Sequence, residues 1–167
     1  MVELLEKISD KNLRAELMKI SDPEIPVLSV FDLGVIRKIE VNGKEVHIDL
    51  TPTYSGCPAM DTISMDLKVA IESLGYKAQI DLVLSPAWTT DWISQEGRQK
   101  LEAYGVAAPL EESLDAKALL DGERLVKCTN CQSTNTKMIS QFGSTACKAL
   151  FQCDDCLEPF DYFKCLK

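Results

Sequence analysis

Hydrophobic positions in the N-terminal part of the chain follow two different periods. Leu13, Leu17 and Met18 recur at helical spacing behind Asp10, a candidate helix cap, and the run stops at Ser21-Asp22-Pro23. This predicts a surface helix of about three turns. The runs Val35 to Val41 and Val46 to Leu50 flank Asn42-Gly43, a strong hairpin signal, and predict two antiparallel strands. After a loop from Thr51 to Gly56, the residues Ile63, Leu67, Ala70, Ile71 and Leu74 form an apolar helical stripe ended by Gly75. Ala78, Ile80, Leu82 and Leu84 then alternate as a third strand. A strand, a helix and a strand make a crossover unit, so the third strand is expected parallel to the second in a mixed three-stranded sheet. A further helix is predicted over 90–104, capped by Thr89 or Thr90 and ended by Gly105.

The pattern changes beyond Gly105. Residues 106–123 are acidic and alanine-rich and read as a linker, part helical, while Thr136 to Ser140 and Ala146 to Gln152 read as short strands. The expected organisation is an α+β unit over 1–105, the linker over 106–123 and a β-rich unit over 124–167. No internal repeat or low-complexity tract interrupts it.

Composition narrows the function classes. The chain has 167 residues, 46% hydrophobic and 26% charged, as a folded globular protein does. A formal net charge of -8 supplies no electrostatic footprint for nucleic acid or for an anionic membrane. No apolar run reaches the roughly 20 residues that span a bilayer, and Met1 to Lys7 lacks a basic stretch followed by an apolar one. A cytoplasmic location is expected.

Seven cysteines change the picture, since a reducing compartment makes a disulfide framework improbable. Cys128-x-x-Cys131 and Cys153-x-x-Cys156 have the spacing of a four-cysteine zinc site, and strands between the pairs give a zinc ribbon. Four thiolates close the coordination shell, which points to structural rather than catalytic zinc. Spacing alone does not select the metal, so an iron-sulfur or rubredoxin-like iron centre stands as the alternative. Cys147 and Cys165 remain. If Cys153 faces Pro159 across the strands flanking the second pair, Cys147 faces Cys165, and the two form either a dithiol or two small buried residues.

In the N-terminal part, Cys57 lies between the second strand and the long helix, beside Pro58. A helix N-terminus stabilises a thiolate, so its pKa is expected to fall, making it a functional thiol; the bland alternative is a buried space-filler. His47, the sole histidine, shares a strand face with Asp49 and points to solvent or a partner rather than serving as a ligand. Asp22, Glu24 and Asp32 are expected to form turns and caps more than to exchange protons. Trp88 and Trp92 are expected as a hydrophobic anchor.

Asp22-Pro23-Glu24-Ile25-Pro26, Asp32-Leu33-Gly34-Val35-Ile36 and Thr53-Tyr54-Ser55-Gly56-Cys57-Pro58 together resemble the SufT-like domain of iron-sulfur assembly factors, over about residues 10–90. Trp88 to Ile93, Phe142 to Leu150 and Glu158 to Cys165 resemble one branch of it, the PaaD family of accessory proteins of phenylacetyl-CoA epoxidase, over nearly the whole chain. The resemblance implies an α/β domain with a zinc ribbon and a role in maturing or maintaining the metal centres of that epoxidase system, which begins aerobic phenylacetate breakdown. It implies the system's iron-sulfur reductase as the likeliest client, Cys57 as the reactive cysteine that takes a transient iron or iron-sulfur cluster, and Asp22 and Glu24 as the acidic motif. Cys128, Cys131, Cys153 and Cys156 would be the Zn2+ ligands. A homodimer is a candidate assembly. A non-catalytic assembly factor is the leading expectation, against a cysteine-based thiol redox enzyme or a zinc-stabilised scaffold of the epoxidase complex.

Overall fold

The Asp10 carboxylate accepts the backbone N–H groups of Asn12 at 2.8 Å and Leu13 at 3.2 Å, and so starts a helix as its position suggests. The computed structural model describes residues 2–6, 8–111, 114, 119 and 125–164. A short helix α1 (Val2–Glu6) that the pattern does not signal comes before helix α2 (Lys11–Leu17). Helix α2 is 7 residues long, shorter than expected, with Leu13 and Leu17 fully buried.

Strands β1 (Ile36–Asn42) and β2 (Glu45–Leu50) form the antiparallel hairpin. Asn42 pairs with Glu45, so the two turn residues are Gly43 and Lys44, and Gly43 takes the positive φ of 61° that the first turn position demands. Ile36 pairs with Leu50 and Lys38 with Asp49, which leaves Arg37 as a bulge. The bulge explains how Ile36 and Ile39, three apart, both face the core. Helix α3 (Ala59–Ser73) buries Ile63, Leu67 and Ile71 at four-residue spacing and packs beside α2 and β3. Strand β3 (Lys77–Leu82) runs parallel to β2, giving the order β1-β2-β3. The mixed sheet is as expected. Trp88 is 2% exposed and donates its indole N–H to the Leu33 carbonyl at 3.0 Å, anchoring the end of this unit.

The chain divides into two compact units, Met1–Trp88 and Thr89–Lys167, and not at residue 105. The expected long helix is broken. Thr89 caps a short 3-10 turn (Thr90–Trp92), and the Ser94 hydroxyl then accepts the Gly97 N–H at 2.8 Å to start helix α4 (Gln95–Tyr104), which Gly105 ends at φ 89°. Serine competes as a cap wherever its neighbours permit, and here it restarts the helix. Strand β4 (Val106–Ala107) pairs in parallel with strand β7 (Pro159–Phe163), which assigns the start of the expected linker to the second unit. Residues 112, 113, 115–118 and 120–123 of that linker, and residue 124 after it, lie outside the described residues.

The second sheet has the order β4-β7-β6-β5, with β5 spanning Thr136–Ser140 and β6 spanning Lys148–Cys153. Its core gathers Ala107, Val126, Ala149, Phe151, Phe160 and Tyr162 around two of the cysteines. Phe151 meets Phe160 at 6.0 Å between ring centroids and Tyr162 edge-on at 5.4 Å, while the Tyr162 hydroxyl accepts the Leu110 N–H. A Cβ at Gly143 would stand 2.6 Å from an Asp161 carboxylate oxygen, so a side chain there requires the Asp161 carboxylate to move. Phe142 is exposed, with the Lys164 ammonium 4.4 Å from its ring centroid.

One expected register is corrected. Gln152, not Cys153, pairs with Pro159, and the ladder continues to Lys148 with Phe163. Cys147 therefore meets Lys164, whose N–H bonds the Cys147 carbonyl at 2.9 Å. The cause is the turn: Cys153 closes the knuckle by donating to the Glu158 carbonyl, which moves the pairing by one residue. Cys165 lies outside the described residues.

Candidate functional site

Each C-x-x-C pair sits on a tight turn whose following residue has left-handed backbone, Gln132 at φ 63° and Leu157 at φ 65°. In the first turn the Gln132 N–H bonds the Cys128 carbonyl at 3.0 Å and the Cys128 N–H bonds the Ser133 carbonyl at 2.9 Å. The turns face each other. Cys128 Sγ lies 3.6 Å from Cys156 Sγ, and Cys131 Sγ lies 3.6 Å from Cys153 Sγ, with all four sulfurs within 4.8 Å of one another. Sulfurs bound about 2.3 Å from one tetrahedral ion stand roughly 3.8 Å apart, so this donor set fits zinc.

Polar neighbours that the cysteine spacing does not reveal hold the turns. The Asn130 backbone N–H points at Cys128 Sγ (3.4 Å) and its side-chain amide at Cys156 Sγ (3.8 Å), both of which favour thiolate. Asp155 in the second turn accepts from Ser133 and Asn135 of the first, tying the two together. The Ser133 N–H favours the Cys131 thiolate, but the crowded thiols of Cys156, Cys153 and Cys128, with some loss of solvation, outweigh it and hold the exposed Cys131 up to about 12. Thiols packed this closely share protons unless a cation neutralises them.

In the first unit, the loop after β2 turns at Tyr54 to Cys57, where the Cys57 N–H bonds the Tyr54 carbonyl at 3.2 Å and Gly56 takes φ 88°. Pro58 is the cap of α3, which places Cys57 just outside the helix. The Ala59 N–H does reach the thiol, as does the Thr53 side chain, yet the expected fall in pKa does not occur. Burial pushes the Cys57 thiol up, and the Glu24 and Asp22 carboxylates add to the rise, exceeding the lowering by the Ala59 and Thr53 hydrogen bonds. Cys57 is 9% exposed. Asp22 is buried and its carboxylate accepts the N–H groups of Glu24 at 2.7 Å and Ile25 at 3.0 Å, forming a turn as expected. Asp32 likewise holds Ser29, by its hydroxyl at 2.7 Å. Thr51 Oγ1, at the start of the same loop, is buried without a hydrogen-bond partner among the described residues.

Cys57 alkylation by iodoacetamide in zinc-loaded protein is expected to rise with pH through a midpoint above 9.0, the value of an unperturbed thiol. Because the folded state keeps this proton longer than the unfolded chain, Cys57 also makes stability fall as pH rises past 9.0. Mass-spectrometric rates giving a midpoint below that of a free cysteine would contradict the burial argument.

His47 lies on the sheet face opposite Val46, Ile48 and Leu50, as its alternation predicts, with Nε2 2.8 Å from Asp81 Oδ2. It belongs to neither group of cysteine neighbours. No helix among the described residues is long and apolar enough to cross a membrane.

Residues 10–82 match the iron-sulfur cluster assembly protein family, and residues 113–164 match the PaaD zinc beta ribbon domain. The molecule is thus an iron-sulfur-assembly-type domain joined to a zinc ribbon. A protein of Escherichia coli provisionally named as a subunit of 1,2-phenylacetyl-CoA epoxidase is 48% identical over 153 residues, which is 91% of this chain and 90% of that protein. The chain belongs to the PaaD family. An Fe-S protein maturation auxiliary factor of Porphyromonas gingivalis is 36% identical over 56% of this chain and 90% of its own length. The Bacillus subtilis factor YitW, of the same description, is 28% identical over 54% of this chain and 91% of its own length.

Proposed function

We propose that this protein matures or maintains the iron-sulfur and other metal centres of a phenylacetyl-CoA epoxidase system, with the system's iron-sulfur reductase as client. The observation that carries the reading is the setting of Cys57. Carboxylates that disfavour a bare thiolate favour a cation beside it, so iron or a cluster, as cargo, replaces the thiol proton and relieves the repulsion from Asp22 and Glu24. Burial at 9% exposure shields such a bond from bulk oxidants. The 48% identity to the Escherichia coli epoxidase protein supports the client system, and the 36% identity to a maturation factor supports the activity. In this reading zinc on Cys128, Cys131, Cys153 and Cys156 is structural, and the ribbon docks the client.

The test is a strain lacking this protein. Iron and acid-labile sulfide in the purified reductase are expected to fall while flavin content and epoxidase polypeptide levels stay normal. Restoring the wild-type gene recovers the cluster, and a Cys57→Ser variant that still forms the complex does not. Full cluster occupancy alongside lost epoxidase activity would refute assembly and favour a zinc-stabilised scaffold.

A further inference from the structure

The open face of the first sheet carries a cluster that neither cysteine site uses. Antiparallel pairing sets Glu40 opposite His47 and Lys38 opposite Asp49, while parallel pairing sets Gln79 beside His47 and Asp81 beside Asp49. His47 Nε2 lies 2.8 Å from Asp81 Oδ2 and 3.2 Å from Asp49 Oδ1, and its Nδ1 lies 3.9 Å from Glu40 Oε2.

Asp49 and Asp81 are like charges side by side on adjacent strands, an arrangement a sheet disfavours unless a cation lies between them. The Lys38 ammonium, bonded to Glu40 at 3.0 Å, acts on Asp49 from one flank, and the Gln79 amide donates to Asp81 Oδ2 at 2.9 Å from the other, but neither stands between the two carboxylates and the imidazole. A single proton on Nε2 cannot make a good hydrogen bond to two carboxylates at once, whereas a metal ion on Nε2 serves both. The donor atoms of His47, Asp49 and Asp81 lie within 4.8 Å of one another, a span that an ion about 2.0–2.2 Å from each can bridge with small side-chain shifts. All three residues stand on paired strands, which hold them more firmly than loops would. A depression of about 200 Å³ touches the cluster only at His47, among Glu40, Glu45, Lys77 and Gln79, and is lined by neither aspartate.

We propose that His47, Asp49 and Asp81 form a second metal site, one imidazole and two carboxylates, for a divalent transition-metal cation such as Mn2+, Fe2+ or Zn2+. Three protein ligands on an exposed face leave coordination positions open, so the ion exchanges readily, in contrast to zinc in the closed tetrathiol centre.

Mn2+ is the probe, because a hard ion prefers this nitrogen and oxygen set to the thiols of Cys57 or the ribbon. Zinc-loaded full-length protein titrated with Mn2+ and followed by electron paramagnetic resonance is expected to bind one ion per chain. His47→Ala and Asp81→Asn should each weaken binding at least about tenfold, a loss of roughly 1.4 kcal/mol, while Cys57→Ser leaves it unchanged. Circular dichroism and zinc content establish that each variant is folded. No saturable Mn2+ binding, or binding that survives His47→Ala, overturns the site, as does binding that Cys57→Ser abolishes. The outcome is independent of client maturation.

Discussion

Replacing Cys131 with serine is expected to release the zinc and unfold β5, β6 and β7 while Met1–Trp88 keeps its fold. Two features of the second unit make the effect large. Two of the ligands, Cys128 and Cys153, are themselves fully buried members of its core, so the metal centre and the hydrophobic cluster cannot come apart separately. The free energy of a structural zinc site, about 10–16 kcal/mol in zinc-finger peptides, is comparable to the whole stability of a small domain, about 5–15 kcal/mol. With one ligand gone, three crowded sulfurs must share protons or repel one another. The first unit has its own core of Leu13, Leu17, Ile48, Ile63 and Leu67 and no part in that loss. Zinc analysis and hydrogen exchange resolved along the chain would measure both halves of the claim. A variant that keeps one zinc and full protection in β6 would show that Cys131 is not a ligand.

Trp88→Ala carries the second large effect, this time in the first unit. A buried Trp truncated to Ala costs about 3–5 kcal/mol from lost burial and the cavity it leaves. Here the indole N–H also satisfies the Leu33 carbonyl at 3.0 Å, so truncation leaves that acceptor without its donor. Trp88→Phe helps separate the two contributions, since it keeps much of the apolar volume and removes the indole donor, whose loss costs about 1–3 kcal/mol. Urea unfolding followed by hydrogen exchange in β2 and α3 reads the change. A Trp88→Ala variant within about 1 kcal/mol of wild type would mean that the side chain is not the anchor its burial indicates.

Much of the first unit was legible because its signals are local. Asp10, Gly75 and Gly105 mark helix ends where they stand, since a cap acts on residues two to four away. The parallel placement of β3 followed from chain connectivity, because a crossover helix returns the chain in the same direction. Ser94 was missed for the opposite reason. Its hydroxyl competes with a continuous helical pattern, and only the folded chain shows which of the two prevails.

The candidate sites divide along the same line. Four cysteines in two close pairs announced a metal centre by spacing alone, but Asn130 and Asp155, which hold the two turns, carry no such signature. Cys57 was recognisable by its place before a helix, yet the direction of its pKa was not. The dipole and the Ala59 N–H are local and readable, while the desolvation that prevails comes from burial that includes segments distant in sequence. The acidic neighbours of His47 were partly hidden too: Asp49 is two positions away, but Asp81 is brought in by the parallel strand pairing.

By itself, then, the sequence determined the helix caps, the strand periods, the hairpin and the C-x-x-C turns, all of which depend on interactions a few residues long. Only the tertiary structure decided that Cys147 meets Lys164, that α4 and β4 join the second unit, that Cys57 holds its proton, and that three acidic residues surround one imidazole. Register, desolvation and charge pairing depend on separation in space, and chain folding makes that separation almost independent of separation in sequence.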